Sequence, residues 1–147
     1  MRIYFDACCL NRPFDDQRQT RIHLETEAIE TILAYVENGI WCGVSSDLLK
    51  LEIALTPDIE RCRKVLDLLS LMNEHIRVCK SDYRRARELM AFGLKSADAL
   101  HIACAEHAGV DVFLTVDDQL LKFTQKHYDK LQVRVSNPLR WVEEQLP

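Results

Sequence analysis

The chain has 147 residues, 48% hydrophobic and 29% charged, a balance typical of a soluble globular protein, and we expect one domain over residues 1–147. Its 19 Lys and Arg against 23 Asp and Glu give a net charge of −4, which excludes nucleic-acid binding by bulk positive charge alone. No apolar run approaches the roughly 18 residues of a membrane span and no leader peptide is recognisable, so we expect a cytoplasmic protein without a membrane partner.

The opening stretch, M-R-I-Y-F-D, has an apolar β-type run directly before Asp6. Because this run lacks polar alternation, we expect a central strand that helices cover on both faces of a parallel sheet. Ligands bind beyond the carboxyl ends of the strands in such sheets, so Asp6 is where chemistry is expected. Turn-forming residues fill the connection over residues 11–16.

Helix and strand signals then alternate. Apolar residues at helical spacing predict a helix over residues 20–38, and a short apolar run predicts a strand over residues 40–44. Ser45-Ser46 is typical of an N-cap, and the helix that it opens carries Glu52.

The middle of the chain repeats this alternation. Thr56-Pro57 predicts the start of a helix that continues as an amphipathic segment over residues 59–72, and a short strand is predicted near residues 75–79. Ser81-Asp82 is the predicted cap of the following helix.

The last third contains two more acidic positions. Ser96-Ala97-Asp98 opens a helix over residues 99–108 that is apolar nearly all round, as buried helices are. A strand over residues 110–115 is followed by Asp117 and Asp118. The remaining predicted elements are a helix to about residue 127, a strand over residues 131–136 and a helix opened by Pro138. The whole pattern predicts an α/β fold, a three-layer sandwich with a mostly parallel central sheet flanked by helices.

Four acidic residues follow strand ends or lie on elements that pack against those ends: Asp6, Glu52, Asp98 and Asp117. Each alone is explained by capping or turn preferences. Together they offer the oxygen ligands that Mg²⁺ or Mn²⁺ prefers, and a carboxylate cluster without a cation would repel itself. Their joint placement therefore favours a divalent-metal site.

Four sequence motifs resemble those of the PIN-domain family, in particular its small prokaryotic, VapC-like toxins. The motifs are I-Y-F-D-A-C-C-L-N-R-P-F-D-D around Asp6, V-S-S-D-L-L-K-L-E ending at Glu52, L-K-S-A-D-A-L-H-I-A around Asp98, and F-L-T-V-D-D with Thr115 and Asp117. The third motif is the most specific, and the resemblance covers essentially the whole chain. In the fourth, Asp118 is an alternative ligand, although the Thr-x-Asp pattern favours Asp117.

The resemblance implies a metal-dependent ribonuclease that leaves a 5′-phosphate and a 3′-hydroxyl, with Mg²⁺ or Mn²⁺ held by the four acids. It further implies the toxin of a toxin–antitoxin pair, blocked by a small antitoxin, and a homodimer. The RNA target, the number of ions and the identity of the antitoxin stay open.

Six further residues lie close in sequence to the motif acids. Thr115 and Ser46 are expected to orient a carboxylate or a metal-bound water, or to serve only as strand-end and capping residues. The others are candidate substrate contacts or alternative ligands, with turn or surface roles as the other interpretation: Asn11, Arg12, Lys95 and Asp118.

Other functions are weaker predictions. A non-catalytic RNA- or protein-binding module on the same fold is the main alternative, and a degraded acid set would favour it. A zinc ion held by His101, Cys104 and His107 together is disfavoured, because successive steps of three residues drift around a helix. A cysteine phosphatase built on Cys8 or Cys9 lacks the glycine-rich anion loop.

Overall fold

One five-stranded sheet organises the computed structural model, which describes residues 1–147. All strand pairs are parallel, in the order β3-β2-β1-β4-β5. The strands are β1 (Arg2–Phe5), β2 (Cys42–Ser46), β3 (Glu74–Ile76), β4 (Val112–Leu114) and β5 (Arg134–Ser136). The sheet is therefore wholly parallel, and the predicted α/β fold with flanking helices is confirmed.

Eight helices connect and flank the strands. They are α1 (Ala7–Asn11), α2 (Thr20–Glu37), α3 (Asp47–Ala54), α4 (Ile59–Leu69), α5 (Lys80–Ala91), α6 (Ser96–His107), α7 (Asp118–Lys126) and α8 (Pro138–Gln145). Short 3-10 turns cover Arg12–Phe14 and Tyr128–Lys130. None of the helices combines the length and the apolar character needed to cross a membrane.

The central position of β1 follows from its composition. Ile3, Tyr4 and Phe5 are fully buried, so both faces of the strand need cover. Tyr4 pairs with Val44 of β2 on one side and with Phe113 of β4 on the other. The carboxyl ends of β1, β2 and β4 consequently meet at one edge of the sheet, as the parallel-sheet interpretation requires.

Strand β2 begins two residues later than the apolar run predicts. The amides of Ile40 and Trp41 both donate to the carbonyl of Tyr35, so the end of α2 holds these two residues in its last turn. The first bond towards β1 runs from the Cys42 amide to the carbonyl of Met1, at 2.8 Å. Ile40 and Trp41 therefore bond to the end of α2 instead of pairing with β1. An apolar run in the sequence does not distinguish these two outcomes.

Two predicted helix caps are wrong. The Asp58 carboxylate caps α4 by accepting from the Arg61 amide, so the cap is not Thr56 before Pro57. Helix α5 begins after Cys79, whose amide donates to Asp82 at 2.8 Å; Asp82 is thus in the first turn rather than at the cap. A carboxylate three residues after a helix start satisfies a free amide as well as a capping residue does. The earlier start of α5 also shortens β3.

The residues between Asp6 and Asp15 are helical rather than a turn-rich connection. Helix α1 starts immediately after Asp6, and a 3-10 turn continues it. Five residues are too few for a periodic pattern, which explains why the sequence did not indicate this helix.

Buried Glu25 ties α2 to the segments around it. Its side chain is 1% exposed and accepts from Arg12 at 2.8 Å and from Asn137, the cap of α8, at 2.5 Å. Arg21 adds an ion pair at 3.4 Å. A buried carboxylate is stable only with such partners.

We therefore expect Glu25→Gln to lower the free energy of unfolding by about 2–3 kcal/mol, since Arg12 loses its buried counter-charge. Urea denaturation measures the change. Glu27→Gln is the matched control, because Glu27 lies two residues further along α2, is exposed and pairs only with His23. This substitution should change the free energy of unfolding by less than about 0.5 kcal/mol. Equal effects of the two substitutions would contradict the role given to Glu25.

Candidate metal centre

Asp6 lies at the meeting point of the strand ends and is held in place from two directions. Its carboxylate is 8% exposed, and its Oδ2 accepts from the Thr115 hydroxyl at 2.8 Å and from the Cys8 thiol at 3.3 Å. Thr115 follows β4 directly and is fully buried. Both donors act on one oxygen, which fixes the orientation of the carboxylate and leaves Oδ1 for another partner.

Glu52 reaches the same place from α3. One ligand atom from each of Asp6, Glu52 and His101 lies within 4.8 Å of the others. The Glu52 carboxylate is exposed and is oriented by His101, whose Nε2 lies 2.7 Å from Glu52 Oε2. A flexible, exposed glutamate thus receives a fixed direction from a histidine that is 1% exposed.

His101 itself belongs to a buried hydrogen-bonded relay, defined by Ser46, Tyr4, His101 and Glu52. The Tyr4 hydroxyl lies 2.6 Å from Ser46 Oγ and 2.8 Å from His101 Nδ1. Ser46 Oγ also accepts from the Leu49 amide at 3.1 Å, as the cap of α3.

One assignment of hydrogens satisfies every member of the relay without a charge on the ring. Ser46 donates to Tyr4, Tyr4 donates to His101 Nδ1, and the Nε2 hydrogen is donated to Glu52. Burial raises the pKa of Tyr4 well above its usual value, which keeps the phenol protonated. The relay therefore connects the cap of α3 to the carboxylate of Glu52 further along the same helix.

Asp98 lies in the first turn of α6 and is half-buried. Burial raises the pKa of this carboxyl above its usual value, and the negative charges of Asp6 and Asp117 raise it further. His101 and Lys95 oppose that increase in part. The carboxylates of Asp6 and Asp117 therefore repel that of Asp98, and a bound cation would reduce this repulsion.

Asp117 and its neighbour Asp118 have different surroundings. Asp117 caps α7 by accepting from the amides of Gln119 and Leu120, and with Asp98 it lines a cavity of about 210 Å³. Asp118 is turned to Arg21, which donates to its two carboxylate oxygens at 2.7 and 2.8 Å. This ion pair lowers the pKa of Asp118, so the charge of that carboxylate is already balanced by the Arg21 guanidinium.

The remaining predicted residues differ in whether they lie near the acidic residues. Ser46 and Thr115 contact the acids or the relay that orients them. Asn11 donates to the carbonyl of Ala7, and Arg12 is committed to Glu25 and Asp15, so neither contacts the acidic cluster. Lys95 is exposed, precedes α6 and lines the same cavity as Asp98.

Cys8 and Tyr4 are the contacts that sequence reasoning missed. Cys8 is brought to Asp6 only because α1 starts immediately after the strand, and that helix was not predicted. The sequence shows Tyr4 as one member of an apolar strand, and nothing in the pattern marks its hydroxyl as the partner of Ser46 and His101.

A family model described as PIN domain matches residues 3–126. No curated protein matches the chain closely enough to count as a relative.

Solved structures of similar fold cover nearly the whole chain. VapBC2 from Rickettsia felis, bound to a DNA fragment from the promoter, has a TM-score of 0.58 and 11% identity, covering 93% of this chain and 98% of the other. FitAcB from Neisseria gonorrhoeae has a TM-score of 0.57 and 17% identity, covering 92% and 97%. At these identities the likeness concerns the fold alone. The family model, which spans most of the sequence, shows that this chain belongs to the PIN-domain family.

Proposed function

We propose that this protein is a divalent-metal-dependent endoribonuclease and the toxin of a toxin–antitoxin pair. The observation that carries the proposal is the convergence of Asp6 and Glu52 beyond the carboxyl ends of the strands. Asp98, whose pKa is raised by burial, is near enough to Asp6 and Asp117 for their charges to raise it further. PIN domains are generally nucleases, and the family membership makes this chemistry the first candidate for such a cluster.

The donor set fits a hard cation. Asp6 keeps one oxygen free of hydrogen bonds, Glu52 is exposed and aimed by His101, and Asp98 is destabilised as an anion by its neighbours. Mg²⁺ and Mn²⁺ prefer carboxylate oxygens and retain several waters, so a partly open cluster suits them better than a closed cage. We therefore assign Asp6, Glu52, Asp98 and Asp117 as the residues that hold the metal.

Each residue has a distinct part in the proposed reaction. When bound, the metal supplies a nucleophilic water at neutral pH and offsets the charge of the phosphodiester. Asp6 is kept in one orientation by Thr115 and Cys8, and Glu52 by the relay through His101. Lys95 is free of ion pairs beside the cavity and is the proposed phosphate contact.

The contacts of the two neighbouring aspartates favour Asp117 as the fourth ligand. Asp118 is paired with Arg21 through two hydrogen bonds, so metal binding by Asp118 would have to break that pair. Asp117 faces the cavity that Asp98 lines, while its capping bonds fix its position.

Asp98→Asn and Asp117→Asn should each reduce RNA cleavage by at least about a hundredfold, because each removes a negatively charged ligand that holds the metal at the reacting phosphate. The measurement is cleavage of a mixed single-stranded RNA pool with Mg²⁺ or Mn²⁺, and with EDTA. Asp118→Asn is the matched control and should keep wild-type activity. Metal binding in calorimetry without cleavage of this pool would indicate a narrow RNA target, whereas absence of both cleavage and metal binding would support the alternative function, a non-catalytic binding module.

Metal-free protein should gain stability when Asp98 is neutralised. The raised pKa means that the folded state holds the Asp98 proton more tightly than the unfolded state does, so ionisation of Asp98 destabilises the fold. The cost is absent below the usual pKa of 3.8, grows with pH up to the raised value and is constant above it. Because the group is only half-buried, we expect a modest effect: a Tm about 1–2 °C higher for Asp98→Asn at pH 7 in EDTA.

Thermal unfolding at a series of pH values measures this difference. It should disappear at low pH, and added Mg²⁺ should raise the Tm of the wild type more than that of the variant. A variant that is less stable than the wild type in EDTA at pH 7 would show that Asp98 has a structural role instead.

An exposed apolar surface beside the cluster fits the proposed antitoxin. Leu51, Leu55 and Ile59, at the end of α3 and the start of α4, are 58%, 71% and 76% exposed. They lie next to Glu52 in the chain, so a small protein seated on them would also cover the acidic cluster. We assign this surface to the antitoxin; the homodimer implied by the family resemblance stays a separate proposal.

The double substitution Leu55→Asp/Ile59→Asp should weaken binding of the antitoxin by at least about tenfold, because it puts two charges into an apolar contact. The partner is the product of a short neighbouring reading frame, and RNA cleavage by the variant should be unchanged. Ile40→Asp is the control: Ile40 is 60% exposed but precedes β2, at the opposite edge of the sheet. If the double variant only converts a dimer into a monomer and still binds the partner, the surface is a self-association site.

A further inference from the structure

A second group of metal-ligating side chains lies between α5 and α6, away from the acidic cluster. It consists of Cys79, Asp82 and His107, whose ligand atoms lie within 4.8 Å of one another. His107 ends α6 whereas Asp98 lies in its first turn, so about 13 Å of helix separates this group from the acidic cluster. We propose that Cys79, Asp82 and His107 bind Zn²⁺.

The ligand types distinguish this site from a magnesium site. A thiolate, an imidazole and one carboxylate suit Zn²⁺, whereas Mg²⁺ needs oxygen ligands. In a tetrahedral zinc site the ligand atoms lie roughly 3.5 Å apart. Cys79 is exposed and His107 is 44% exposed, so small side-chain rotations bring their atoms to that spacing.

Asp82 is the ligand whose side chain is held in one orientation. Its side chain is 4% exposed, and its Oδ2 accepts from the Cys79 amide at 2.8 Å and lies 3.1 Å from His107 Nδ1. Its other oxygen receives no hydrogen bond from the protein. The Asp82 carboxylate is thus held in place through Oδ2, between an exposed thiol and an exposed imidazole, and its Oδ1 is available to bind a metal.

The dipoles of α5 and α6 do not disfavour a cation at this site. The positive end of α5 lies at Cys79, but the negative end of α6 lies at His107, so the two dipoles offset one another. Cys104 lies one turn before His107 and is buried, and burial raises its pKa to about 12, so its thiol stays protonated. The fourth position is thus left to water or to another molecule.

The site joins the start of α5 to the end of α6. These helices pack against one another, and α6 carries Asp98 and His101. Bound zinc would anchor the helix that supplies two residues to the acidic cluster. This inference does not depend on the proposed nuclease function.

Co²⁺ titration of the reduced full-length protein, followed by absorption, tests the proposal. Thiolate ligation gives a sulfur-to-cobalt charge-transfer band, which carboxylate and histidine ligands do not give. Cys8 also lies near a carboxylate, so Cys8→Ser is the essential control, and Cys62→Ser controls for a partly exposed thiol elsewhere. Circular dichroism checks that each variant folds.

We expect one thiolate-ligated Co²⁺ per chain, displaced by Zn²⁺; Co²⁺ held by the acidic cluster gives no thiolate band. Cys79→Ser and His107→Ala should lose the band and weaken Zn²⁺ binding by at least about tenfold, while Cys8→Ser and Cys62→Ser keep both. Zn²⁺ should also raise the Tm of the wild type more than that of Cys79→Ser. No band in the wild type, or a band lost in Cys8→Ser and kept in Cys79→Ser, would overturn the proposal.

Discussion

Repulsion among carboxylates at one edge of a parallel sheet is the constraint around which this molecule is arranged. Asp6 and Glu52 offer oxygens within 4.8 Å of one another, and unit charges at that separation repel by about 3 kcal/mol at an effective dielectric constant near 20. Solvent reduces the repulsion, since Glu52 is exposed. Burial raises the pKa of Asp98, and the negative charges of Asp6 and Asp117 add to that increase.

The scaffold holds Asp6 and Glu52 with hydrogen-bond donors rather than with arginine or lysine ion pairs. Thr115 and Cys8 donate to Asp6, and His101 directs Glu52 through the relay that ends at Tyr4 and Ser46. An arginine in the same place would neutralise the cluster and compete with a cation. The arginines nearby are committed elsewhere, Arg12 to Glu25 and Arg21 to Asp118. The cluster therefore keeps the negative charge that metal binding needs.

Much of the fold was predictable because its signals are local. The apolar run before Asp6, the helical spacing over residues 20–38 and the buried character of α6 each follow from neighbouring residues, and the parallel sheet follows from their alternation. The errors lie where two local signals compete: the end of α2 against the start of β2, and Asp58 and Asp82 against the predicted caps. Helix α1 is too short for any periodic signal.

The candidate site divides in the same way. The four acids were predicted from their positions after strands and at helix starts, together with the family motifs, and their role in metal binding stays a prediction. The groups that orient them depend on contacts between distant residues: Thr115 with Asp6, Tyr4 with His101, and Arg21 with Asp118. Such pairs leave no mark in a single sequence, because each partner is unremarkable in its own neighbourhood.

The strand order has a consequence for synthesis of the protein. Asp6 leaves the ribosome 109 residues before its partner Thr115. At about 5–20 residues per second, translation leaves the first acid without that partner for roughly 5–20 seconds. Asp98 and Asp117 also arrive late, so a nascent or prematurely terminated chain has no assembled cluster. The proposed ribonuclease would thus be inert towards its own message until the last third of this sequence has been translated.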